Sequence, residues 1–229
     1  MRIPWDAVVF DFDGTLVDTE WPIYLGARAA FATFGIDLPE AEWAAVVGMS
    51  DEEDGWWPGI CERLGAGHIE REVWEAAKAR ARLDGSPSGR DAPMADGAAA
   101  LVGALHGAGV PLAVASGSPV AWLEHHLDRF AMADRFDALV GVDHPGVRGG
   151  KPAPDLYLVA CAALGVEPGN AVAVEDTARG IASARAAGMG AVVAVANRLT
   201  RHHDLSAADL LVPSLTEVGI EVLRTLRAA

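Results

Sequence analysis

Six short runs of apolar residues, rich in valine and alanine, recur along the chain and are separated by segments with helical patterning. Runs of this length, bounded by turn residues, are typical of strands that are buried on both faces. Strands are predicted at residues 7–11, 110–115, 138–142, 171–174, 190–195 and 209–212. Because strands that alternate with helices form βαβ units, the pattern predicts an α/β fold with a doubly wound parallel sheet.

The segment between the first two predicted strands has no strand patterning. It carries amphipathic stretches in which apolar positions recur with the helical period, at residues 22–34, 40–47, 51–64 and 68–82. Its end, Asp84–Gly89, is rich in glycine, proline and serine and is typical of a hinge. The sequence therefore predicts an all-helical domain, residues 18–88, inserted into a core formed by residues 1–17 and 89–229. Core helices are predicted at residues 119–127, 178–187 and 215–226.

Composition restricts the classes of partner. The chain has 229 residues, of which 51% are hydrophobic, and this is enough for a well-buried interior. Its formal net charge of −14 disfavours nucleic acid and anionic membranes as partners, since both require clustered basic residues. The first residues lead into a strand without a secretory signal, and no apolar run is long enough to span a bilayer. We therefore expect a cytoplasmic protein with two reduced, packed cysteines, Cys61 and Cys161.

The first predicted strand leads into two carboxylates, Asp11 and Asp13, followed by Gly14. Two close carboxylates repel each other, so the pair needs a compensating positive charge. A hard divalent cation such as Mg²⁺ prefers carboxylate and carbonyl oxygens, and it would leave one aspartate free for nucleophilic or proton-transfer chemistry. Taken alone, the pattern is equally compatible with a strand end that carries acids before a turn.

Chemically competent side chains also follow three other predicted strands. Ser116–Gly117 follow the second strand, Lys151 follows the third after a glycine-rich loop, and Glu175–Asp176 follow the fourth. In an open parallel sheet, ligands bind outside the carboxyl ends of the strands. We therefore expect these side chains to converge with the first acid pair, although they are distant in sequence.

These four motifs, in this order, resemble those of the haloacid dehalogenase-like (HAD) superfamily of hydrolases. The resemblance covers nearly the whole chain and is carried by Asp11-x-Asp13-x-Thr15, Ser116, Lys151 and Glu175–Asp176. The sequences at residues 150–155 and 174–181 resemble the branch of phosphatases and β-phosphoglucomutases. The resemblance implies a Rossmann-like core and an α-helical cap that closes over the active site. It disfavours dehalogenation, because the dehalogenases of the superfamily lack the second aspartate.

The chemistry expected of the acidic residues is phosphoryl transfer. Asp11 is predicted to be the nucleophile that forms an aspartyl-phosphate. Asp13 is predicted to protonate the leaving group and later to activate water, a division of labour that the resemblance also implies. Mg²⁺ is the expected cofactor, held by Asp11, the backbone carbonyl of Asp13, Glu175 and Asp176. Which of the last two residues binds directly and which binds through water stays open.

The remaining motif residues are expected to bind the phosphate. Lys151 supplies a positive charge that can neutralise both Asp11 and phosphate oxygens. Ser116 and the backbone amides of Ser116 and Gly117 lie where a strand turns into a helix, which is a ready anion site. Thr15 can orient Asp11 or donate its hydroxyl to the phosphate, although a turn threonine needs no such role.

Two positions of the insert favour a monophosphate hydrolase over a sugar-phosphate mutase. Mutase-like relatives carry an arginine after a Gly-x-Ser element, where it binds a second phosphate, and this chain has Asp51 there. Many of them also have a histidine where this chain has Ile23. Trp21, Trp56 and Trp57 could stack on a substrate ring, but aromatic residues at helical spacing more commonly form the core of a small helical unit.

Three functions follow from these observations. The first is a Mg²⁺-dependent phosphatase that hydrolyses a small phosphorylated metabolite, such as a sugar phosphate. The second is a β-phosphoglucomutase-like isomerase, which returns the phosphoryl group to the substrate instead of passing it to water. The third is a non-catalytic binding protein, disfavoured because every catalytic position holds a competent residue. The identity of the metabolite and the oligomeric state stay open.

Overall fold

The computed structural model describes residues 4–49 and 55–226. The sheet contains the strands β1 (Ala7–Phe10), β2 (Leu112–Ala115), β3 (Ala138–Val140), β4 (Ala171–Glu175), β5 (Ala191–Val195) and β6 (Leu210–Val212). Every neighbouring pair is parallel, and the strand order is β3-β2-β1-β4-β5-β6. This is a doubly wound order, so the predicted fold class is confirmed. All six predicted strands are present, with bounds within two residues of those expected.

The helices of the described part surround this sheet or belong to the insert. They are α1 (Glu20–Ala32), α2 (Glu40–Ala44), α3 (Trp56–Leu64), α4 (Arg71–Leu83), α5 (Ala98–Gly107), α6 (Val120–Arg129), α7 (Asp155–Leu164), α8 (Ala178–Ala186) and α9 (Ile220–Thr225). The first four match the amphipathic stretches predicted between the first two strands. The beginning of the stretch predicted at 51–64 lies outside the described residues.

The last helix differs from the prediction. Instead of one helix over 215–226, the chain forms a 3₁₀ turn at Leu215–Glu217 and then α9, which begins at Ile220. The residues between them are extended, and Gly219 has φ −143° and ψ 174°. The Ser214 hydroxyl accepts from the amide of Thr216 and caps the short turn. Glycine disfavours helix, so the chain is not helical through Gly219. The single helix predicted from the apolar periodicity therefore combined two separate elements.

The strands are apolar throughout because both faces of the sheet are covered. In β1, Val8 and Phe10 join one hydrophobic cluster, whereas Ala7 and Val9 join a second cluster on the opposite face. The same alternation occurs in β4, where the valines and the alanines point to different clusters. This arrangement follows from the two-residue period of a strand and explains the continuous apolar runs in the sequence.

The insert has a hydrophobic cluster of its own. Its buried members lie between Tyr24 and Trp74. Among the described residues, Leu199 is the one buried residue of the core that belongs to this cluster. Trp56 and Trp57 lie within 6 Å of the Trp74 ring, with ring centroids 5.9 and 5.0 Å away. These two tryptophans therefore form part of the core of the insert. Trp21 instead lies under the guanidinium group of Arg198, 3.6 Å from its ring centroid.

The carboxyl ends of β1 and β4 lie side by side at the centre of the sheet. The connections lead outward in opposite directions from these two strands, and ligands of doubly wound sheets bind at such a reversal. Within residues 4–49 and 55–226, no helix is both long and apolar enough to cross a lipid bilayer.

Candidate active site

A cavity of about 230 Å³ lies at the carboxyl ends of the central strands, between the core and the insert. The core contributes charged and polar residues to its wall, namely Asp11, Asp13, Ser116, Ser118, Lys151, Asp176 and Thr177, together with Trp122. The insert contributes Glu20, Ile23, Val47, Gly48 and Met49. The strand termini thus bring together residues that are more than 160 positions apart in sequence.

Lys151 links the acidic residues at the ends of the two central strands. Its Nζ lies 2.5 Å from Asp11 Oδ1 and 2.5 Å from Glu175 Oε1. The Tyr157 hydroxyl donates to the same Glu175 oxygen at 2.7 Å. Arg179 donates to the backbone carbonyl of Lys151 and so holds the loop that carries the lysine. Lys151 is therefore positioned from both sides, and Glu175 anchors it at the floor of the site.

Three buried carboxylates meet at this point. Oxygen atoms of Asp11, Glu175 and Asp176 all lie within 4.8 Å of one another. Burial raises the pKa of Asp11 from 3.8 to about 7, against the opposing effect of the Lys151 charge. Burial, followed by the charges of Asp11 and Glu175, also raises the pKa of Asp176 well above its ordinary value. A single ammonium group does not offset this concentration of negative charge, so the cluster favours a further cation.

Asp176 has one oxygen that is ready to bind a cation. Its Oδ2 accepts a hydrogen bond from Asn197 Nδ2 at 2.7 Å, whereas its Oδ1 is buried and has no hydrogen-bond partner among the described residues. Asn197 also donates to the backbone carbonyl of Gly14 at 3.2 Å. A buried carboxylate oxygen without a partner is costly, and a metal ion is a chemically suitable partner for it.

Asp13 is surrounded by hydrogen-bond donors. Its Oδ1 accepts from the Thr19 hydroxyl and from the Trp122 indole N–H, each at 2.8 Å. Its Oδ2 accepts from the Ser118 hydroxyl at 2.6 Å and from the Ser116 hydroxyl at 3.4 Å. The carboxyl group is thus held in one orientation beside Asp11 in the cavity wall.

The predicted phosphate-binding residues are placed less uniformly. Ser116 and Gly117 line the cavity, but the amide of Ser116 donates to the Val140 carbonyl at 2.9 Å within the sheet. The prediction that this amide binds an anion is therefore wrong, because the parallel pairing of the strands uses it. Thr15 is fully buried and lines a neighbouring cavity of about 420 Å³. Its hydroxyl has no hydrogen-bond partner among the described residues.

Sequence reasoning did not assign roles to several polar residues of the site, namely Thr19, Glu20, Ser118, Trp122, Tyr157 and Asn197. A signal was available for two of them. Ser118 repeats the Ser116 side chain two residues later, and Asn197 follows a predicted strand at the same edge of the sheet. Glu20, Trp122 and Tyr157 lie on helices and Thr19 directly precedes α1, so the position of each relative to the acidic residues depends on how its helix is packed.

Glu20 places a carboxyl group from the insert in the same cavity. Burial raises its pKa from 4.5 to about 8, and the charges of Asp13, Asp11 and Asp18 act in the same direction. Its uncharged form is therefore favoured, and in that form the carboxyl group can donate a hydrogen bond. Ile23, Val47 and Met49 make the remainder of this wall apolar. Ser50 and Asp51, the position compared with a mutase arginine, lie outside the described residues.

Comparison with known proteins adds an independent finding. The family model described as haloacid dehalogenase-like hydrolase matches residues 5–188. Hexitol phosphatase B of Escherichia coli is 32% identical over 93% of each chain. Fructose-1-phosphate phosphatase YqaB of Escherichia coli is 34% identical over 81% of this chain and 94% of its own. The structure is also similar to that of a HAD family hydrolase from Deinococcus radiodurans with bound phosphate and sodium, with a TM-score of 0.73, 26% identity and 94% coverage of each chain.

Proposed function

We propose that this chain, which belongs to the haloacid dehalogenase-like hydrolase family, is a Mg²⁺-dependent phosphatase that acts through an aspartyl-phosphate. Its relatives named as phosphatases identify it as a phosphoric monoester hydrolase. The observation that carries this proposal is the buried cluster of Asp11, Glu175 and Asp176 with Lys151 bound to two of its members. A phosphate monoester is a dianion, so hydrolysis requires positive charge around the phosphate and a positioned oxygen nucleophile.

The donor set fits Mg²⁺, which prefers carboxylate and carbonyl oxygens. We assign Asp11, the backbone carbonyl of Asp13 and Asp176 as direct ligands. The unpartnered Oδ1 of Asp176 supports this assignment. Glu175 already accepts from Lys151 and Tyr157 through Oε1 and from the Asp176 amide through Oε2, so its role is to hold Lys151 and to add charge to the site. When bound, Mg²⁺ supplies charge neutralisation for the phosphate and for the acid cluster.

Asp11 is the proposed nucleophile. Lys151 binds one of its oxygens, Oδ1, and fixes the carboxylate in the wall of the cavity. The other oxygen can then attack phosphorus, so that hydrolysis proceeds as transfer to Asp11 followed by attack of water. The charge of Lys151 also stabilises the non-bridging phosphate oxygens as the bond to the leaving group breaks. Asp13 is the proposed acid that protonates the leaving oxygen and the base that later activates water.

The proposed substrate is a small monophosphate ester, such as a polyol or sugar phosphate. A cavity of about 230 Å³ with an apolar wall at Ile23, Val47 and Met49 suits a compact organic group. Lys151 is the one basic side chain among the described residues of this wall, so a second phosphate has no evident binding partner there. The neutral Glu20 carboxyl group can donate to a substrate hydroxyl. Two similar proteins, named for hexitol and fructose-1-phosphate phosphatase activity, support this substrate class.

The helical insert is proposed to act as a lid. The division into residues 18–88 and a core of 1–17 and 89–229 places the apolar wall on the insert and the acid cluster on the core. Closure of such a lid excludes bulk water, which strengthens the electrostatic interactions inside the site and protects the transferring phosphoryl group. The lid also contacts the organic part of the substrate, so its residues determine substrate choice.

Phosphate release from a panel of monoesters tests this proposal. We expect turnover of at least one hexitol or hexose phosphate and of p-nitrophenyl phosphate, with a loss of at least about 100-fold after EDTA treatment and recovery on addition of Mg²⁺. Mg²⁺ is also expected to raise the melting temperature of the wild-type protein and to have less effect on Asp176→Asn. Phosphate release that is independent of Mg²⁺ would contradict the proposal. Interconversion of hexose phosphates without phosphate release would favour the isomerase instead.

Gly14→Ala is expected to lower kcat by at least about 100-fold, because Asp176 has to move. Gly14 has a φ of +80°, and a Cβ there would overlap Asp176 Oδ2 and lie 2.9 Å from Asn197 Nδ2. Gly35→Ala is a matched control, since Gly35 has a φ of +73° and no heavy atom within 4 Å of an added Cβ.

Both substitutions carry a similar backbone cost of about 1 kcal/mol, measurable by chemical denaturation. Steady-state assays of the two variants are expected to separate them, with near-normal activity for Gly35→Ala only. Equal activity of the two variants would show that the position of Asp176 is not required.

A further inference from the structure

Trp122 makes a hydrogen bond that is unlike the others to Asp13. Its indole N–H donates to Asp13 Oδ1 at 2.8 Å from the first turn of α6. The hydroxyls of Thr19, Ser116 and Ser118 can each donate or accept, whereas an indole N–H can only donate. Among the contacts to Asp13 in the described part of the chain, the bond from Trp122 is therefore the one whose direction cannot reverse during a proton transfer.

The indole ring is fixed by its surroundings. It packs edge to face against the buried His126 ring, with centroids 4.6 Å apart, and His126 lies in turn against Phe12 between the two aspartates. The ring also approaches the hinge, where a Cβ added at Gly89 would lie 3.2 Å from Trp122 Cη2 and 3.1 Å from Ile23. The N–H therefore has a fixed direction, set by the core helix and the hinge together.

Proton transfer in the proposed reaction requires this kind of control. As an Asp11 oxygen bonds to phosphorus, the bond from phosphorus to the ester oxygen breaks and its electron pair stays on that oxygen. The Asp13 carboxyl group then gives its proton to the ester oxygen. An alkoxide is a poor leaving group and needs that proton, whereas a nitrophenolate leaves readily without it. A carboxyl group that rotates away from the ester oxygen thus slows the reaction of alkyl phosphates selectively.

We propose that Trp122 is a positioning residue, whose indole N–H holds the Asp13 carboxyl group in the orientation needed to protonate the leaving oxygen. The inference rests on the proposed function and deepens it, because it assigns one observed contact, from Trp122 to Asp13, to one step of the reaction. Trp122 does not take part in bond making. Its effect on the transfer step is transmitted through Asp13 Oδ1, so the effect is expected to depend on the leaving group.

Leaving-group dependence of kcat/KM is the test, because kcat/KM reports on the steps up to transfer to Asp11. Trp122→Phe removes the N–H and keeps an aromatic ring. We expect kcat/KM to fall by about 10-fold or more for the best alkyl phosphate of the panel and by less than about 3-fold for p-nitrophenyl phosphate. Asp13→Asn is the reference and is expected to show the same selectivity with a larger loss. Trp5→Phe is the control, since it removes a buried indole donor to the Leu223 carbonyl at 2.7 Å, and no selectivity is expected.

Parallel losses for both substrates in Trp122→Phe would overturn the inference, because they indicate altered packing or binding. An unchanged kcat/KM for the alkyl phosphate would also overturn it. If Asp13→Asn itself shows no leaving-group dependence, the acid role in the proposed function fails and this inference fails with it. If Asp13→Asn loses more kcat/KM for the alkyl phosphate than for the aryl phosphate, but Trp122→Phe does not, the role of Trp122 is rejected and the acid role of Asp13 is kept.

A spectroscopic measurement supports the test without relying on turnover. The indole N–H signal of Trp122 in a ¹H–¹⁵N spectrum is identified by its loss in Trp122→Phe. We expect this signal to shift and to exchange faster in Asp13→Ala, while the corresponding Trp5 signal stays unchanged. A Trp122 signal that is insensitive to Asp13→Ala would contradict the hydrogen bond on which the inference depends.

Discussion

Asp11→Asn is expected to lower phosphate release by at least about 10⁴-fold, for alkyl and aryl phosphates alike. The amide has nearly the shape of the carboxylate but is a very weak nucleophile, so the transfer step itself is lost. The uniform loss separates this variant from Asp13→Asn, whose kcat/KM is expected to fall much less for aryl than for alkyl substrates. Steady-state assays with both substrate classes and added Mg²⁺ make the comparison.

The fold is expected to survive this substitution. Burial and the neighbouring carboxylates disfavour the charged form of Asp11, which is why its pKa is raised to about 7. Without Mg²⁺, the melting temperature of Asp11→Asn is therefore expected to be no lower than that of the wild-type protein at pH 7.5. Activity within about tenfold of wild type would reject Asp11 as the nucleophile.

Lys151→Met is expected to lower kcat/KM by at least about 10³-fold and also to destabilise the protein. The ammonium group lies 2.5 Å from oxygens of both Asp11 and Glu175, and its removal leaves two buried carboxylates without their common partner. Breaking a buried ion pair in this way costs about 3 kcal/mol. In the absence of Mg²⁺, denaturant titrations should show this loss, and Mg²⁺ should recover part of it by supplying positive charge.

The other lysine of the chain provides a matched control. Lys78 pairs with Glu75 at 2.9 Å in the insert and lies over the Trp74 ring, but it has no contact with the acid cluster among those described. Lys78→Met is expected to keep near-normal activity and to lose less than about 1 kcal/mol. Similar activity losses for both lysine variants would contradict the assigned role of Lys151.

The sheet could be predicted closely because its signal is local. Each strand is a short apolar run whose alternate side chains enter different clusters on the two faces, so the burial of Val8 and Ala7 can be read directly from the run. Prediction failed where one local pattern covered two elements. The apolar period of residues 215–226 continues through Gly219, although the backbone there is extended.

The convergence of Asp11, Lys151 and Asp176 could be predicted because parallel strands present their carboxyl ends at one edge. The partners of these residues could not be predicted in the same way. Trp122 and Tyr157 reach the site from α6 and α7, and their contacts depend on helix rotation and packing, which the sequence pattern does not specify. The amide of Ser116 is a case in which the sequence suggested a contact that the structure does not have. This amide was predicted to donate to an anion, but it donates to the Val140 carbonyl within the sheet.

The central claim is that the phosphoryl group is transferred to Asp11, and mass spectrometry of an acid-quenched reaction tests it most directly. Asp13→Asn protein mixed with Mg²⁺ and p-nitrophenyl phosphate should form the intermediate, because the aryl group leaves without a proton, and should hydrolyse it slowly, because the base for water is missing. We predict a stoichiometric burst of nitrophenol and one phosphoryl group on the peptide that contains Asp11. A burst with no phosphoryl group on this peptide, or with the group on another residue, would contradict the account.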